Sequence, residues 1–176
     1  MSPKSIGWSV LVVCLFGTPI GLAAQDLSRV PDSPARRYYD YWIGTWHREA
    51  DGRADTSDTE FRVTREPSGT ILERWRVKTD GGSYHATGLR SFDKAWNRWM
   101  YVWTSDDGHF QVWQGRQVDG HWYIYREFDI AGDRYLSRQA WIPESPTRLT
   151  RVSEKSYDGG LTWELRFREF YRKTAP

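Results

Sequence analysis

Residues 119–133 read DGHWYIYREFDIAGD, a run of ten strand-like residues held between two turn signals. Asp119-Gly120 and Gly132-Asp133 are residue types that tolerate the positive φ angles of tight hairpin turns. Between the turns, apolar side chains occupy alternate positions, as in a strand that buries one face: Trp122, Ile124, Phe128 and Ile130. This stretch therefore predicts a β-strand with a hairpin at each end.

The same unit of turn and strand recurs along the chain on both sides of this stretch. Turn signals such as Asp80-Gly81-Gly82 and Asp158-Gly159-Gly160 mostly lie 12 to 14 residues apart. They delimit ten predicted strands, at about 45–50, 57–66, 70–79, 83–92, 96–105, 109–118, 121–130, 134–142, 147–156 and 161–171. Ten strands joined in order by hairpins predict an all-β fold, an up-and-down antiparallel barrel of about ten strands, because closure removes both exposed edges. A two-sheet sandwich is the alternative.

One short N-terminal helix is predicted before the first strand. Ser33 can cap it, and Pro34 suits its first position. The apolar residues that follow have helical spacing and form one face: Ala35, Tyr38, Tyr39, Trp42 and Ile43. Gly44 then offers a left-handed cap. We expect this amphipathic helix to lie at one end of the barrel.

The start of the chain has the pattern of a secretory signal peptide. Lys4 gives a positive start, residues 6–20 form an apolar run, and Gly21-Leu22-Ala23-Ala24 offers small residues for cleavage. We therefore expect a signal peptide at 1–24, a linker at 25–32 and a β-barrel domain at 33–174. The protein would be exported, periplasmic or secreted, without stable membrane insertion after cleavage. An uncleaved anchor is the alternative.

Composition excludes several classes of function. The 25 Lys and Arg residues nearly balance 23 Asp and Glu residues, so no excess of basic charge points to nucleic acid. Cys14 is the one cysteine and lies in the predicted signal peptide, which leaves the mature chain without thiol chemistry. The four histidines have no metal-ligand spacing, and no nucleotide-binding glycine motif is present. We therefore expect a protein that binds a small molecule and needs neither a metal ion nor a cofactor. The composition does not predict the oligomeric state.

A barrel of ten strands has more room than its own side chains fill, so an interior cavity is expected. Three charged residues fall on strand faces that otherwise look buried: Glu73, Arg126 and Glu169. One interpretation is a structural ion pair of Arg126 with Glu73 or Glu169. Another is that Arg126 and Glu169 bind a ligand, with Glu73 as a general base. A β-bulge that turns one of them outward is the third.

Aromatic residues and two histidines complete the candidate site. Trp75 shares its strand face with Glu73, and residues 96–105 are aromatic on both faces. Within them Trp99, Tyr101 and Trp103 either line a pocket or pack in an ordinary core. His47 and His85 lie beside aromatic residues and are further candidates for a catalytic base.

Three segments carry a resemblance to a known family. They are Tyr41-Trp42-Ile43-Gly44-Thr45-Trp46 with its Trp-x-Gly-x-Trp pattern, residues 69–75 (GTILERW) and residues 156–163 (SYDGGLTW). In this order they resemble a bacterial family of exported lipocalin-like (calycin-type) β-barrels of unknown function, over about residues 38–172. The resemblance implies a closed antiparallel barrel with an interior ligand cavity, and it carries over no catalytic residue.

Two functions are compatible with this pattern of residues. The first is an exported barrel that binds a small hydrophobic or aromatic molecule in its cavity. A variant of this prediction is that the molecule is also anionic. The second is a cofactor-independent lyase, isomerase or hydrolase with Glu73, His47 or His85 as base and Arg126 stabilising negative charge. A weaker third interpretation is carbohydrate binding by exposed Trp and Tyr side chains.

Overall fold

The computed structural model describes residues 30–174, so the predicted signal peptide and most of the predicted linker lie outside the described residues. Eleven strands form one sheet. Their bounds are β1 Gly44–Ala50, β2 Arg53–Ala54, β3 Glu60–Arg65, β4 Ile71–Thr79, β5 Gly82–Asp93, β6 Arg98–Ser105, β7 Phe110–Val118, β8 His121–Ile130, β9 Asp133–Ser145, β10 Arg148–Ser156 and β11 Glu164–Thr174.

Ten of these strands close into an antiparallel barrel. From β3 to β11 each strand pairs with the next, and β1 pairs with both β3 and β11. The closing register places Thr45 opposite Thr174 and Arg48 opposite Tyr171. The predicted up-and-down barrel is thus confirmed and the sandwich alternative is wrong. The two-residue strand β2 pairs only with the end of β1.

The predicted N-terminal helix is present but has a tighter winding than expected. Pro34–Trp42 form a 3₁₀ helix with a kink at Tyr39, and Ser33 Oγ accepts the N–H of Ala35 at 3.3 Å. Gly44 does not cap this helix but begins β1, with φ +136°. A side chain there would strain the backbone at this φ, and it would also displace the Lys173 side chain, whose Cε would lie 2.6 Å from the new Cβ. Between residues 30 and 174, no helix is long and apolar enough to cross a membrane.

The helix closes one end of the barrel and fills it with aromatic rings. Tyr39 and Trp42 are fully buried. The Trp42 ring stacks on Phe61 with centroids 5.1 Å apart, and Phe61 stacks on Trp75 at 3.9 Å. Trp46 Nε1 donates to the Trp42 carbonyl at 2.8 Å, which ties the helix to β1. This half of the interior is therefore solid core.

Candidate functional site

A cavity of about 310 Å³ occupies the other half of the barrel, at the end opposite the helix. Aromatic side chains from several strands form most of its wall, among them Tyr84, Tyr101, Trp103, Trp113, Phe128 and Trp141. Amide and guanidinium groups reach it from four strands: Gln111 on β7, Gln139 on β9, Arg151 on β10 and Arg166 on β11. A concave apolar pocket with a few polar groups is the usual form of a small-molecule site.

Strand β6 supplies the inward aromatic residues that the sequence singled out. Trp99 lies under the helix, where its Nε1 donates to the Ala35 carbonyl at 2.9 Å. Tyr101 and Trp103 follow on the same face and line the cavity. Met100 and Val102 lie on the other face and are partly exposed. The strand therefore contributes to the core at one end and to the cavity wall at the other.

Arg151 brings a partly buried positive charge to the cavity wall. Its Nη1 donates to Glu169 Oε2 at 3.1 Å and its Nη2 to Gln139 Oε1 at 2.9 Å. Burial disfavours the charged form, but Tyr171 and Glu169 beside it raise its pKa above the usual value. Glu169 also accepts from Arg48 at 2.6 Å, so this carboxylate lies in an ion-pair cluster and does not line the cavity.

Arg166 reaches the cavity through an irregularity in β11. Strict alternation places Arg166 on the outer face, with its neighbour Phe167 inside. The register between β10 and β11 shifts, however: Ser153 is opposite Phe167 and Glu154 is opposite Leu165, so Arg166 is the extra residue. Such a bulge re-aims the side chain it carries. Arg166 Nη1 accordingly lies 3.5 Å from the inward Ser137 Oγ.

Glu73 is fully buried and forms an ion pair, although not with the predicted partner. Arg90 Nε donates to Glu73 Oε1, and both side chains are at most 1% exposed. Trp75 Nε1 donates to Glu73 Oε2 at 2.9 Å, and Tyr101 Oη donates to the same oxygen at 3.4 Å. Gly88 leaves room for this contact, because a Cβ there would lie 2.7 Å from Tyr101 Oη. Neither Glu73 nor Trp75 lines the cavity.

Arg126 pairs with neither Glu73 nor Glu169, so the predicted structural ion pair is wrong. Strands β7 and β8 pair only over residues 114–118 and 121–125, and Arg126 follows the last pair. Its Nη1 donates to the carbonyl of Phe110, a β7 residue that β8 does not pair with, at 3.3 Å, and its guanidinium lies 5.0 Å from the Phe128 ring centroid. Arg126 thus bridges two diverging strands instead of facing the cavity.

The two candidate histidines lie outside the barrel. The His85 side chain is 71% exposed and its Nδ1 lies 3.6 Å from Asp106. His47 is buried, with Nδ1 3.9 Å from Glu60 Oε2, and borders an outer groove of about 750 Å³. The structure therefore does not bring Glu73, His47, His85 and Arg126 together, and their catalytic roles stay predictions. Among residues 30–174, no cluster of three or more His, Cys, Asp or Glu could hold a metal ion.

Comparison of the chain with known protein families and with characterised proteins finds no match. The site is therefore defined by its own geometry: a half-filled antiparallel barrel with an aromatic cavity and two arginines in its wall. Sequence reasoning missed Arg151, Arg166 and Gln139. Alternation along 147–156 could have placed Arg151 inside with Leu149, since both lie on one strand face. No sequence signal marks the bulge at Arg166.

Proposed function

We propose that this protein binds a small hydrophobic or aromatic molecule in the open half of the barrel. The observation that carries the proposal is the aromatic wall around about 310 Å³ of space, next to a core that is otherwise tightly filled. Rings offer large, rigid contact surfaces, and they bind flat apolar ligands with little loss of side-chain entropy. The proposal includes export and a relationship to lipocalin-like barrels, which the N-terminal apolar run and the closed barrel support.

A neutral fluorescent probe, N-phenylnaphthylamine, tests this proposal. Trp103→Ala removes part of the cavity wall, whereas Trp96→Ala removes a turn residue that is 66% exposed. An aromatic contact contributes about 0.5–1.5 kcal/mol beyond its buried area, so we expect Trp103→Ala to weaken probe binding about tenfold. Trp96→Ala should bind as the wild type does. Absence of probe binding, or equal effects of the two variants, would contradict the proposal.

The second candidate is a cofactor-independent lyase, isomerase or hydrolase that acts in the same cavity. One contact favours it: the cavity residue Tyr101 hydrogen-bonds to the Glu73 carboxylate behind it, so a proton could pass between ligand and Glu73 through the phenol. To distinguish the two functions, the protein is incubated with crude cell extract, and the molecules that it retains are identified by mass spectrometry. Retained molecules whose chemical structure is unchanged support binding. Conversion that Glu73→Gln abolishes, with probe binding retained, supports catalysis.

A further inference from the structure

The cavity has one cationic group that no carboxylate of the described residues neutralises. Arg151 is paired with Glu169, and Arg48, which shares Glu169, also contacts Asp58 at 3.4 Å. Between residues 30 and 174, Arg166 has no carboxylate within ion-pair distance, and its hydrogen bond to Ser137 is long at 3.5 Å. Arg166 therefore stands at the cavity wall as an exposed residue with donors to spare.

The acidic residue at the cavity mouth does not compensate this charge. Asp107 lines the cavity, but it accepts a hydrogen bond from Ser105 Oγ and contacts His109 Nδ1 at 2.8 Å. These partners hold the pKa of Asp107 below its ordinary value, so it stays an anion bound to its own turn. An anion brought by a ligand would be the natural partner of Arg166, because guanidinium groups bind carboxylates and sulfonates through paired N–H donors.

We infer that Arg166 is the anion-binding residue of the cavity and that the ligand is an aromatic anion. This inference rests on the proposed function and adds the charge and the orientation of the ligand. The ring system would lie deep in the cavity against Tyr101, Trp103 and Trp141, and the anionic group would lie at the Arg166 bulge. The bulge accounts for the position of this cation, since regular pairing of β11 would direct Arg166 away from the interior.

Two probes with the same ring system test the inference. Anilinonaphthalene sulfonate carries a negative charge, whereas N-phenylnaphthylamine is neutral. We expect Arg166→Gln to weaken sulfonate binding about tenfold, since a hydrogen bond to a charged group is worth about 1.5–3 kcal/mol. Binding of the neutral probe should change less than about twofold. Arg166→Lys, which keeps the charge but not the paired N–H donors, should lose less sulfonate affinity than Arg166→Gln does.

Arg168→Gln is the matched control, because Arg168 is an exposed arginine two positions along β11 and does not line the cavity. It should leave both probes unaffected. Equal losses for both probes in Arg166→Gln would indicate a structural role and overturn the inference. The inference would also be overturned if Arg166→Gln bound the sulfonate probe as tightly as the wild type does. The proposed function would still stand in that case, provided that the wild type binds the neutral probe. If neither probe binds the wild type, both proposals are wrong.

Discussion

Arg90 is enclosed by aromatic rings in the closed half of the barrel. Its guanidinium carbon lies 4.1 Å from the Trp141 ring centroid and 4.4 Å from that of Tyr101. Burial disfavours the charged form, but Glu73 and the ring hydroxyls around it raise the pKa of Arg90 above its usual value. Each side chain depends on the other, because Arg90 and Glu73 are both at most 1% exposed and a lone buried charge is costly.

Removal of one member of this pair should be costly. We expect Arg90→Met to lower the free energy of unfolding by about 3–5 kcal/mol, since Glu73 would be left as an isolated buried charge. Arg90→Met combined with Glu73→Gln should recover part of this loss, because Gln still accepts from Trp75 Nε1 without a charge. Urea unfolding followed by tryptophan fluorescence measures both.

Arg37→Met is the control for this pair. The Arg37 side chain is 85% exposed and contacts Asp40 on the surface, so its loss should change stability by less than about 0.5 kcal/mol. If Arg90→Met lowers the free energy of unfolding by less than about 1 kcal/mol, or if the double variant is less stable than Arg90→Met alone, the ion pair does not stabilise the core.

At the scale of elements, the turn residues of the hairpins made the positions of the strands predictable, but the side-chain contacts between paired strands could not be predicted. Asp-Gly and Gly-Gly turns mark where strands end, so all ten long strands could be anticipated within a few residues. Alternation also placed Tyr101 and Trp103 inside. Alternation could not reveal Arg90 as the partner of Glu73, because this contact depends on the register between β4 and β5. In the folded sheet Ile71 is opposite Arg90, and Arg90 is therefore the diagonal neighbour of Glu73.

Irregular pairing defeats prediction from alternation in two strands. The bulge in β11 depends on a register shift against β10, and Arg126 is diverted because β7 and β8 separate beyond residue 125. Both features arise from contacts between strands, and a single strand's sequence does not record them. The missed cavity residue Arg166 and the wrong ion pair of Arg126 follow from this limit.

The connection between β10 and β11 has an Asp-Gly-Gly turn that is locked by one carboxylate. Asp158 accepts hydrogen bonds from Ser156 Oγ, from the N–H groups of Leu161 and Thr162, and from Thr162 Oγ1. The hydrogen bond from Ser156, together with those from Thr162, holds the pKa of Asp158 well below its ordinary value. This explains why residues 156–163 form a distinct motif in the sequence: they build a rigid turn beside the bulge.

Asp158→Ala should loosen this turn without unfolding the barrel. We expect amide exchange of Leu161 and Thr162 to become faster, because their N–H groups lose their acceptor. The matched control is Asp80→Ala in the other Asp-Gly-Gly turn, where the Asp80 side chain makes no hydrogen bond to the described residues. Amide exchange measured by NMR in both variants decides the matter, and unchanged protection of Leu161 and Thr162 would contradict the role of Asp158.

The whole molecule has a solid half under the helix and a hollow half at the other end. Ring packing from Tyr39 to Trp75 anchors the strands at the closed end, while the cavity end depends on side chains that leave space between them. Such a division lets one barrel be stable and still bind a guest, because stability and binding rely on different layers of the interior.

Buried tyrosines throughout this interior should make the fold sensitive to alkali. Tyr39, Tyr101 and Tyr171 are at most 3% exposed. Burial raises the pKa of all three, that of Tyr171 to about 12. The unfolded chain loses these protons near pH 10, whereas the folded chain keeps them, so their stabilising effect is complete below pH 10 and is lost as pH rises toward 12 and beyond.

Urea unfolding between pH 9 and pH 12 measures this loss. Each such tyrosine should lower the free energy of unfolding by about 1.4 kcal/mol per pH unit in the range where only the unfolded chain is ionised. Tyr171→Phe removes one of these contributions and should flatten the pH dependence, even though it loses the hydrogen bond to Glu169 at neutral pH. Tyr157→Phe, at a residue that is 54% exposed, should follow the wild-type curve. If the free energy of unfolding falls with pH at the same slope in Tyr171→Phe and in the wild type, Tyr171 ionises as freely inside the barrel as a tyrosine on its surface. The closed half would then not be a dry core.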